Sequence, residues 1–254
     1  MHKKIAIVLA GGKGKRMGSD IPKQFLDFNG RTVLSYSLET FEKSDVDGIM
    51  VVASPYYRDL CKEEIIDKIG ISKFIGFADP GEERVYSVRN ALRRVEEYLE
   101  LSYNPGCGCN CGSCDDPSKD PEAYVFIHDG ARPLISEDLI KRSIDGVKKT
   151  GACIPGIPLN DTIKEIDRER YVASTPDRSK LIAVQTPQCF DLEILKEAYK
   201  KWESSGEEDF IPTDDASLVE RFTNAKVTVI DGDDINLKIT RPLDLELAKN
   251  YLKM

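Results

Sequence analysis

Short apolar runs rich in β-branched residues alternate with amphipathic stretches along the first half of the chain. The apolar runs read KIAIVLA at 4–10, GIMVVAS at 48–54, KFIGFAD at 73–79 and AYVFIHD at 123–129. Apolar runs of strand length that are separated by helix-length stretches are typical of repeated βα units. The pattern therefore predicts an α/β fold in which a mainly parallel sheet is flanked by helices.

The amphipathic stretches predict the helices of these units. TVLSYSLETFEK at 32–43 is one of them, and the stretch from Arg84 to Glu100 is a longer one, because its apolar residues recur at three- and four-residue spacing. The later part of the chain predicts a strand at ACIPGIPL, 152–159, and helices at Glu137–Lys149, Leu192–Trp202 and Pro242–Leu252.

One segment, from Asn160 to Gln188, breaks this alternation. It contains two short strand-like pieces, DTIKEID and KLIAVQTP, and the residues that join them are charged and rich in turn formers. Two such pieces without an intervening helix favour a β-hairpin. We expect residues 160–188 to form an arm that projects from the sheet.

Length and charge narrow the possible functions. The chain has 254 residues, which we expect to form one domain, and its net charge is −8 with a pI near 5.1. An acidic chain lacks the broad basic surface that nucleic acids or anionic membranes require, so neither is an expected partner. No apolar run approaches the ~20 residues that span a bilayer, and the first run is too short for a signal peptide, so we expect a cytoplasmic protein.

Four of the seven cysteines, Cys107, Cys109, Cys111 and Cys114, lie within eight residues of one another. The surrounding stretch is rich in Gly, Pro, Ser and Asp, which predicts a surface insertion at 104–121 without regular structure. Structural zinc sites usually pair two Cys-x2-Cys elements a dozen or more residues apart, and this spacing differs. An unoccupied insertion and a metal or redox role both stay open, and no metal ligand is assigned.

The loop after the first apolar run, LAGGKGKRMGSDIPKQF, combines glycines with cations. Gly11, Gly12 and Gly14 allow backbone N–H groups to approach a phosphate closely, while Arg16, Lys23 and two further lysines can neutralise a triphosphate. The glycine spacing differs from the G-x-G-x-x-G of dinucleotide-binding loops, and Gly-Lys-Ser/Thr of a Walker loop is absent. The loop therefore predicts a triphosphate site of another type.

G-G-x-G-x-R-M-G followed by P-K-Q resembles the signature of sugar nucleotidyltransferases that have a Rossmann-like body. Six further motifs follow in order, and they include HDGARP, DRSKLIAVQTPQCF and NLKITRPLDL. In that order the motifs resemble the 2-C-methyl-D-erythritol 4-phosphate cytidylyltransferase family, over nearly the whole chain except the cysteine-rich insertion. The resemblance implies a Rossmann-like fold and a reaction in which CTP and a sugar-alcohol phosphate give a CDP-linked polyol and pyrophosphate, in the non-mevalonate route to isoprenoid precursors.

The resemblance also implies roles for residues near CTP. Arg16 and Lys23 would hold the phosphates and stabilise the transition state, and Mg²⁺ would be bound mainly through the CTP phosphates. The cytosine would be read by backbone groups of Ala10, Gly11 and Gly12 and by the region of Gly81 and Ser87, where Pro80-Gly81-Glu82 departs from the commonest family pattern. Arg84 can be either a cation of the site or a solvated charge in the first turn of its helix.

For the second substrate the resemblance points to Asp129, Thr162, Arg178 and Lys238, with Arg178 and Lys238 also counted as catalytic. Family members form homodimers through the arm, so Thr162 and Arg178 are expected to complete the partner's site. The attacking phosphate oxygen is already ionised, so no general base is required, and His128 is interpreted as a strand-end residue with local hydrogen bonds. Thr213-Asp214-Asp215 is interpreted as a helix cap with acids in the first turn.

Two alternatives stay open at this point. A ribitol 5-phosphate cytidylyltransferase would use the same chemistry, although Ala131 before Arg132, and the TDDA motif, resemble the erythritol group better. A nonenzymatic metal-binding or redox-sensing protein on a nucleotidyltransferase body would place its activity in the four clustered cysteines.

Overall fold

The computed structural model describes residues 2–12, 21–103, 122–207 and 210–252. Their strands are β1 (Lys3–Leu9), β2 (Asp27–Phe28), β3 (Arg31–Thr32), β4 (Gly48–Val52), β5 (Phe74–Ala78), β6 (Ala123–Asp129), β7 (Ala152–Pro158), β8 (Glu165–Ile166), β9 (Val172–Ser174), β10 (Ile182–Val184), β11 (Gln188–Asp191) and β12 (Thr228–Asp231). Their α-helices are α1 (Val33–Lys43), α2 (Pro55–Cys61), α3 (Arg84–Tyr103), α4 (Glu137–Thr150), α5 (Leu192–Ser204), α6 (Asp215–Phe222) and α7 (Pro242–Tyr251), and a π-helical stretch, Lys62–Asp67, continues α2.

The main sheet has the order β12-β7-β11-β6-β1-β4-β5, and β10 continues the line of β11 along β7. Strands β6, β1, β4 and β5 are parallel neighbours, whereas β11 runs antiparallel between β6 and β7. The predicted α/β fold with a mainly parallel sheet is confirmed. Two small antiparallel pairs, β2-β3 and β8-β9, lie outside it.

Helices cover both faces of the sheet. Ile5 and Ile7 of β1 pack in a cluster with α3, α5 and α6, while Ala6 and Val8 pack in a second cluster with α1, α2 and α4. All four side chains are fully buried. Because helices cover both sides of this central strand, both of its faces have to be apolar. The continuous apolar runs of the sequence have this physical cause.

The carboxyl ends of the parallel strands meet at one edge of the sheet. The chain moves outward from β1 to β4 and β5 and then returns to β6 on the other side of β1, so the strand order reverses beside β1. Loops that leave parallel strands on either side of such a reversal open a crevice, where α/β proteins bind ligands. The loops after Leu9, Ala78 and Asp129 therefore share this edge.

The arm differs in part from the prediction. β8 and β9 form a projecting hairpin, as expected from DTIKEID, but its second strand is Val172–Ser174. The prediction that KLIAVQTP supplies that strand is wrong: Ile182–Val184 pairs with β7 in the main sheet, and Gln185, Thr186 and Gln188 are buried. A strand pattern shows that a segment is extended, but it does not show which neighbour supplies the hydrogen bonds.

Several short elements were not anticipated, namely α2, β11, β12 and the β2-β3 pair, whereas the start of α6 was expected from Thr213-Asp214-Asp215. Helix α6 has eight residues, and its start depends on caps, since the Asp214 side chain accepts a hydrogen bond from the Ser217 N–H. The cap expected at Thr213-Asp214-Asp215 is therefore confirmed, with Asp214 as the capping residue and Asp215 as the acid of the first turn. The cysteine-rich insertion at 104–121 lies outside the described residues. Among the described helices, none has the length and apolar composition of a membrane span.

Candidate active site

A cleft of about 940 Å³ opens at the carboxyl edge of the sheet. Its walls come from the loop after β1, the loop between β5 and α3, the end of β6 and the segment that precedes α7. Eight of the residues predicted for the site line this cleft: Ala10, Gly11, Gly12, Lys23, Gly81, Ser87, Asp129 and Lys238. Gly14 and Arg16 lie outside the described residues.

The backbone after β1 is held close to the opposite wall. A Cβ on Gly11 would lie 2.4 Å from Cβ of Pro80, closer than real carbon contacts, so only glycine fits between the two loops. The Gln24 side chain is buried, and its Nε2 donates to the carbonyl oxygens of Ala10 and Gly12. Gln24 therefore fixes the course of the loop, and the exposed Gly12 borders the cleft.

The second wall is the turn that begins α3. The Gly81 N–H donates to Ser87 Oγ at 2.9 Å, and the same hydroxyl donates to the Glu83 carbonyl at 3.2 Å. A Cβ on Gly81 would lie 2.3 Å from Cβ of Tyr86, so the turn needs glycine at this position. Ser87 thus shapes the turn as well as lining the cleft.

Asp129, the last residue of β6, is the buried carboxylate of the cleft. Lys238 Nζ lies 2.8 Å from its Oδ2, Arg132 Nε lies 3.7 Å from the same oxygen, and Arg84 Nε lies 3.8 Å from Oδ1. Burial alone would raise the pKa of Asp129, but Lys238, Arg84 and Arg132 outweigh it and hold the pKa well below its usual range. Asp129 is therefore ionised at neutral pH.

Arg84 reaches into the cleft, so it is not a solvated charge of the first turn of α3. Its Nη1 lies 2.7 Å from Oδ2 of Asp215, and its side chain is one-quarter exposed. Burial lowers the pKa of Arg84, but the carboxylates of Asp215 and Asp129 more than offset this and raise it. The guanidinium thus spans two carboxylates, one of them in the cleft.

The two lysines that were predicted for the site lie near each other. Lys23 follows Pro22 in a short 3-10 turn, and its Nζ donates to the Ile239 carbonyl at 2.7 Å. This bond ties the loop after β1 to the segment that carries Lys238, which is more than one-third exposed. Both ammonium groups can therefore act on a ligand in the cleft.

Thr162 and Arg178 do not line this cleft. Both are exposed, and Arg178 Nη1 donates to the Asn160 carbonyl at the base of the arm. Arg178 lies in a short 3-10 turn after β9 that Asp177 caps. Within one chain, the structure does not bring the arm residues together with the other predicted site residues.

His128 lies directly before Asp129 but faces away from the cleft. It is fully buried, its Nδ1 lies 3.1 Å from the Thr186 hydroxyl and its Nε2 lies 3.2 Å from the Arg132 carbonyl. Because a carbonyl can only accept, Nε2 carries the proton and Nδ1 accepts from Thr186. The interpretation of His128 as a strand-end residue with local hydrogen bonds is confirmed.

This burial gives a prediction for the pH dependence of stability. Burial lowers the pKa of His128 from 6.5 to about 4, so between these values the unfolded chain binds a proton that the folded chain does not. The free energy of unfolding should therefore fall on acidification, by about 2 kcal/mol between pH 7 and pH 5 from this group. An NMR titration can follow the imidazole of His128 separately, because the chain has only two histidines. A titration midpoint for His128 above pH 6 would contradict the prediction.

Sequence reasoning missed four residues that support the site. All four lie within motifs that the sequence analysis singled out, but none was given a role in the site: Gln24, Arg132, Gln188 and Asp215. Arg132 Nη1 donates to the Asn236 carbonyl at 2.6 Å and so holds the segment before Lys238. Gln188 Oε1 accepts from the backbone N–H groups of Asp215 and Ala216 at the start of α6.

Comparisons with known families agree over the whole chain. A family model described as 2-C-methyl-D-erythritol 4-phosphate cytidylyltransferase matches residues 117–254, and one described as a MobA-like NTP transferase domain matches residues 6–158. The chain is 39% identical over 249 residues to a 2-C-methyl-D-erythritol 4-phosphate cytidylyltransferase of Lachnospira eligens, with 98% of each chain covered. It is 38% identical to one of Clostridium perfringens, with both chains covered completely.

Solved structures are similar as well. The 4-diphosphocytidyl-2C-methyl-D-erythritol synthase of Anaerococcus prevotii superimposes with a TM-score of 0.78 at 30% identity, covering 100% of this chain and 97% of that one. The 2-C-methyl-D-erythritol 4-phosphate cytidylyltransferase of Thermus thermophilus superimposes with a TM-score of 0.71 at 26% identity, and both chains are covered completely. The likeness therefore extends over sequence and fold together.

Proposed function

The chain belongs to the 2-C-methyl-D-erythritol 4-phosphate cytidylyltransferase family, and we propose that it joins CTP to 2-C-methyl-D-erythritol 4-phosphate. The products are the CDP-linked polyol and pyrophosphate, in the non-mevalonate route to isoprenoid precursors. The observation that carries this proposal is the convergence of Lys23, Arg84, Asp129 and Lys238 on the cleft beside the glycine loop. Three cations line this cleft, namely Lys23, Arg84 and Lys238, and cations of this kind suit two phosphorylated substrates.

The reaction needs alignment and charge stabilisation more than proton transfer. The phosphate oxygen of the polyol attacks the α-phosphorus of CTP in line, a P–O bond forms, and the bond to pyrophosphate breaks with its electron pair. Negative charge grows around the α-phosphorus, where Lys23 and, from the segment outside the described residues, Arg16 would stabilise it. Lys238, held against Asp129 at 2.8 Å, would orient the attacking phosphate.

We propose that the reaction uses Mg²⁺, bound mainly through the CTP phosphates. It prefers an octahedron of oxygens and usually keeps water and phosphate ligands, so one protein carboxylate is sufficient. Asp129 meets this need, because it is ionised, lines the cleft, and has its Oδ1 beyond hydrogen-bond distance of Arg84. The bound ion would neutralise part of the charge on the triphosphate.

Selection of the base would use the backbone of Ala10, Gly11 and Gly12 together with the turn of Gly81 and Ser87. Cytosine presents an amino donor at its fourth position and an acceptor at its third, so fixed carbonyl and N–H groups can distinguish it from uracil. Gln24 and Pro80 hold these loops in place. Preorganised backbone of this kind supports preference for one base.

The test of the proposal is identification of both products. Purified protein with CTP, Mg²⁺ and 2-C-methyl-D-erythritol 4-phosphate should form the CDP-linked polyol and pyrophosphate in equal amounts, as measured by phosphorus NMR. UTP and ATP should give little product, and chelation of Mg²⁺ should stop the reaction. Equal use of the three nucleotides, or hydrolysis of CTP without a CDP-linked product, would show that the proposal is wrong.

We also propose a homodimer in which the arm reaches the partner. The arm exposes Ile166, Tyr171 and Val172, each more than half accessible, and a two-stranded hairpin alone is marginal in water. Thr162 and Arg178 do not line the cleft of their own chain. A two-fold dimer would let each arm bring these residues to the other chain's cleft.

Complementation between two inactive variants tests the crossing. In a heterodimer of Lys23→Ala and Arg178→Ala chains, one site carries both defects and the other carries neither. After random exchange in an equal mixture, about a quarter of wild-type activity should return. A mixture of Lys23→Ala and Lys238→Ala is the matched control, because both residues line the same cleft and no intact site can form. Lack of recovery after verified exchange would place Arg178 in the site of its own chain.

We further propose that the chain forms one domain and acts in the cytoplasm. Residues 1–254 form a single nucleotidyltransferase domain, within which residues 104–121 are a surface insertion and the arm serves dimerisation. The proposed location of the activity is the cytoplasm. Replacing 107–114 by a short Gly-Ser link should leave the activity within a few-fold of wild type, because surface insertions contribute little closure entropy.

A further inference from the structure

Asp215 is a charged group that the proposed reaction leaves without a role. It is the first residue of α6, and its side chain is 1% exposed. Ionised carboxylates are rarely buried to this extent unless a partner compensates the loss of water. The position therefore needs an explanation beyond capping, which Asp214 already provides.

The surroundings of Asp215 hold its carboxylate in one place. Gln188 Oε1 accepts from the Asp215 N–H at 2.9 Å and fixes the backbone at the start of α6. On the side-chain side, the buried Tyr199 hydroxyl lies 3.3 Å from Oδ1 and 3.2 Å from the Val85 carbonyl of α3. Oδ2 faces the guanidinium of Arg84 at 2.7 Å.

Arg84 is shared unequally between two carboxylates. Its Nη1 forms an ion pair with Oδ2 of Asp215 at 2.7 Å, without the alignment of a hydrogen bond, whereas its Nε is 3.8 Å from Oδ1 of Asp129. An arginine next to two carboxylates takes the position that the stronger pair sets. The guanidinium therefore lies closer to the carboxylate of Asp215 than to that of Asp129.

From this geometry we propose that Asp215 is a positioning residue, which holds Arg84 back so that Oδ1 of Asp129 stays available to a hydroxyl group of the polyol or to the proposed Mg²⁺ ion. The proposal rests on the function proposed above. Oδ2 of Asp129 is already taken by Lys238 at 2.8 Å, so Oδ1 is the oxygen that Arg84 would otherwise occupy. A residue that never touches the ligand can orient the side chains that do, and their alignment then depends on it.

Substitution of Asp215 by Asn gives the first test. D215N keeps the shape of the side chain but removes the charge, so Arg84 is expected to move onto Asp129. kcat/KM for the polyol phosphate should fall by about ten-fold or more, while KM for CTP changes less than about three-fold. D214N is the matched control, because it makes the same change at the neighbouring residue, which caps α6 without contacting Arg84, and it should stay within about two-fold of wild type.

A double-mutant cycle separates positioning from a purely structural role. If Asp215 acts through Arg84, adding D215N to R84Q should change kcat/KM no further. R84Q leaves the charge of Asp215 buried without its cation, so the double variant should unfold at a higher temperature than R84Q alone. An equal effect of D215N in both backgrounds, or wild-type kinetics for D215N, would overturn the proposal. If wild-type protein formed no CDP-linked product, the proposed function would fail, while the unfolding cycle would still measure the coupling between Arg84 and Asp215.

Discussion

Replacing Lys23 by Ala is expected to lower kcat for pyrophosphate release by about 10² or more. Lys23 lines the cleft beside the glycine loop, and the 3-10 turn after Pro22 presents it there. A charge that acts on the developing negative charge at phosphorus stabilises the transition state more than bound CTP. The loss should therefore appear mainly in kcat, as measured by steady-state kinetics with both substrates varied.

Two controls make the Lys23 result specific. Lys200→Ala removes an exposed lysine from α5, outside the cleft, and should leave the kinetics unchanged. Because Lys23 also donates to the Ile239 carbonyl, thermal unfolding should establish that the variant is folded at the assay temperature. A folded Lys23→Ala protein with kcat within two-fold of wild type would remove Lys23 from the proposed site.

Asp129→Asn is expected to have an effect of similar or larger size, about 10² to 10³ in kcat. The variant leaves Lys238, Arg84 and Arg132 together without the carboxylate that they share. It also removes the proposed ligand of Mg²⁺, so the apparent affinity for the metal ion should fall with the rate. The measurement is kcat as a function of Mg²⁺ concentration.

Stability should change as well, since removing one partner of a buried ion pair typically costs about 3–5 kcal/mol. Water reaches Lys238, so we expect the lower end of that range or less. Asp79→Asn is the matched control, because Asp79 directly follows β5, another parallel strand of the same sheet, but is largely exposed and pairs with Arg58. An unchanged kcat in Asp129→Asn at saturating Mg²⁺ would contradict the role of Asp129.

The sequence predicted the parts of the fold whose causes are local. Strands β1, β4 and β6 are buried on both faces and therefore appear as uninterrupted apolar runs, and helix α3 buries one stripe with a regular spacing. Pairing partners are not local. The segment around Ile182–Val184 has the pattern of a strand, but only the folded chain shows that it pairs with β7 instead of completing the arm.

The candidate site shows the same limit. The cations of the glycine loop located Lys23, and the family resemblance located Asp129 and Lys238; all three line the cleft. Asp215 was interpreted only as a first-turn acid of its helix, since nothing near it in sequence indicates that Arg84 is its partner. Supporting residues depend on contacts between distant segments, which patterns of residues do not contain.

Competition between two polyol phosphates for limiting enzyme tests directly whether the protein is a cytidylyltransferase specific for 2-C-methyl-D-erythritol 4-phosphate. Equal concentrations of 2-C-methyl-D-erythritol 4-phosphate and ribitol 5-phosphate would be mixed with CTP and Mg²⁺, and both CDP-linked products quantified by mass spectrometry at early times. The ratio of products equals the ratio of the two kcat/KM values. We expect an excess of the methylerythritol product of about ten-fold or more, because a site that is built around one polyol rejects a longer one. Equal products, or an excess of the ribitol product, would contradict it.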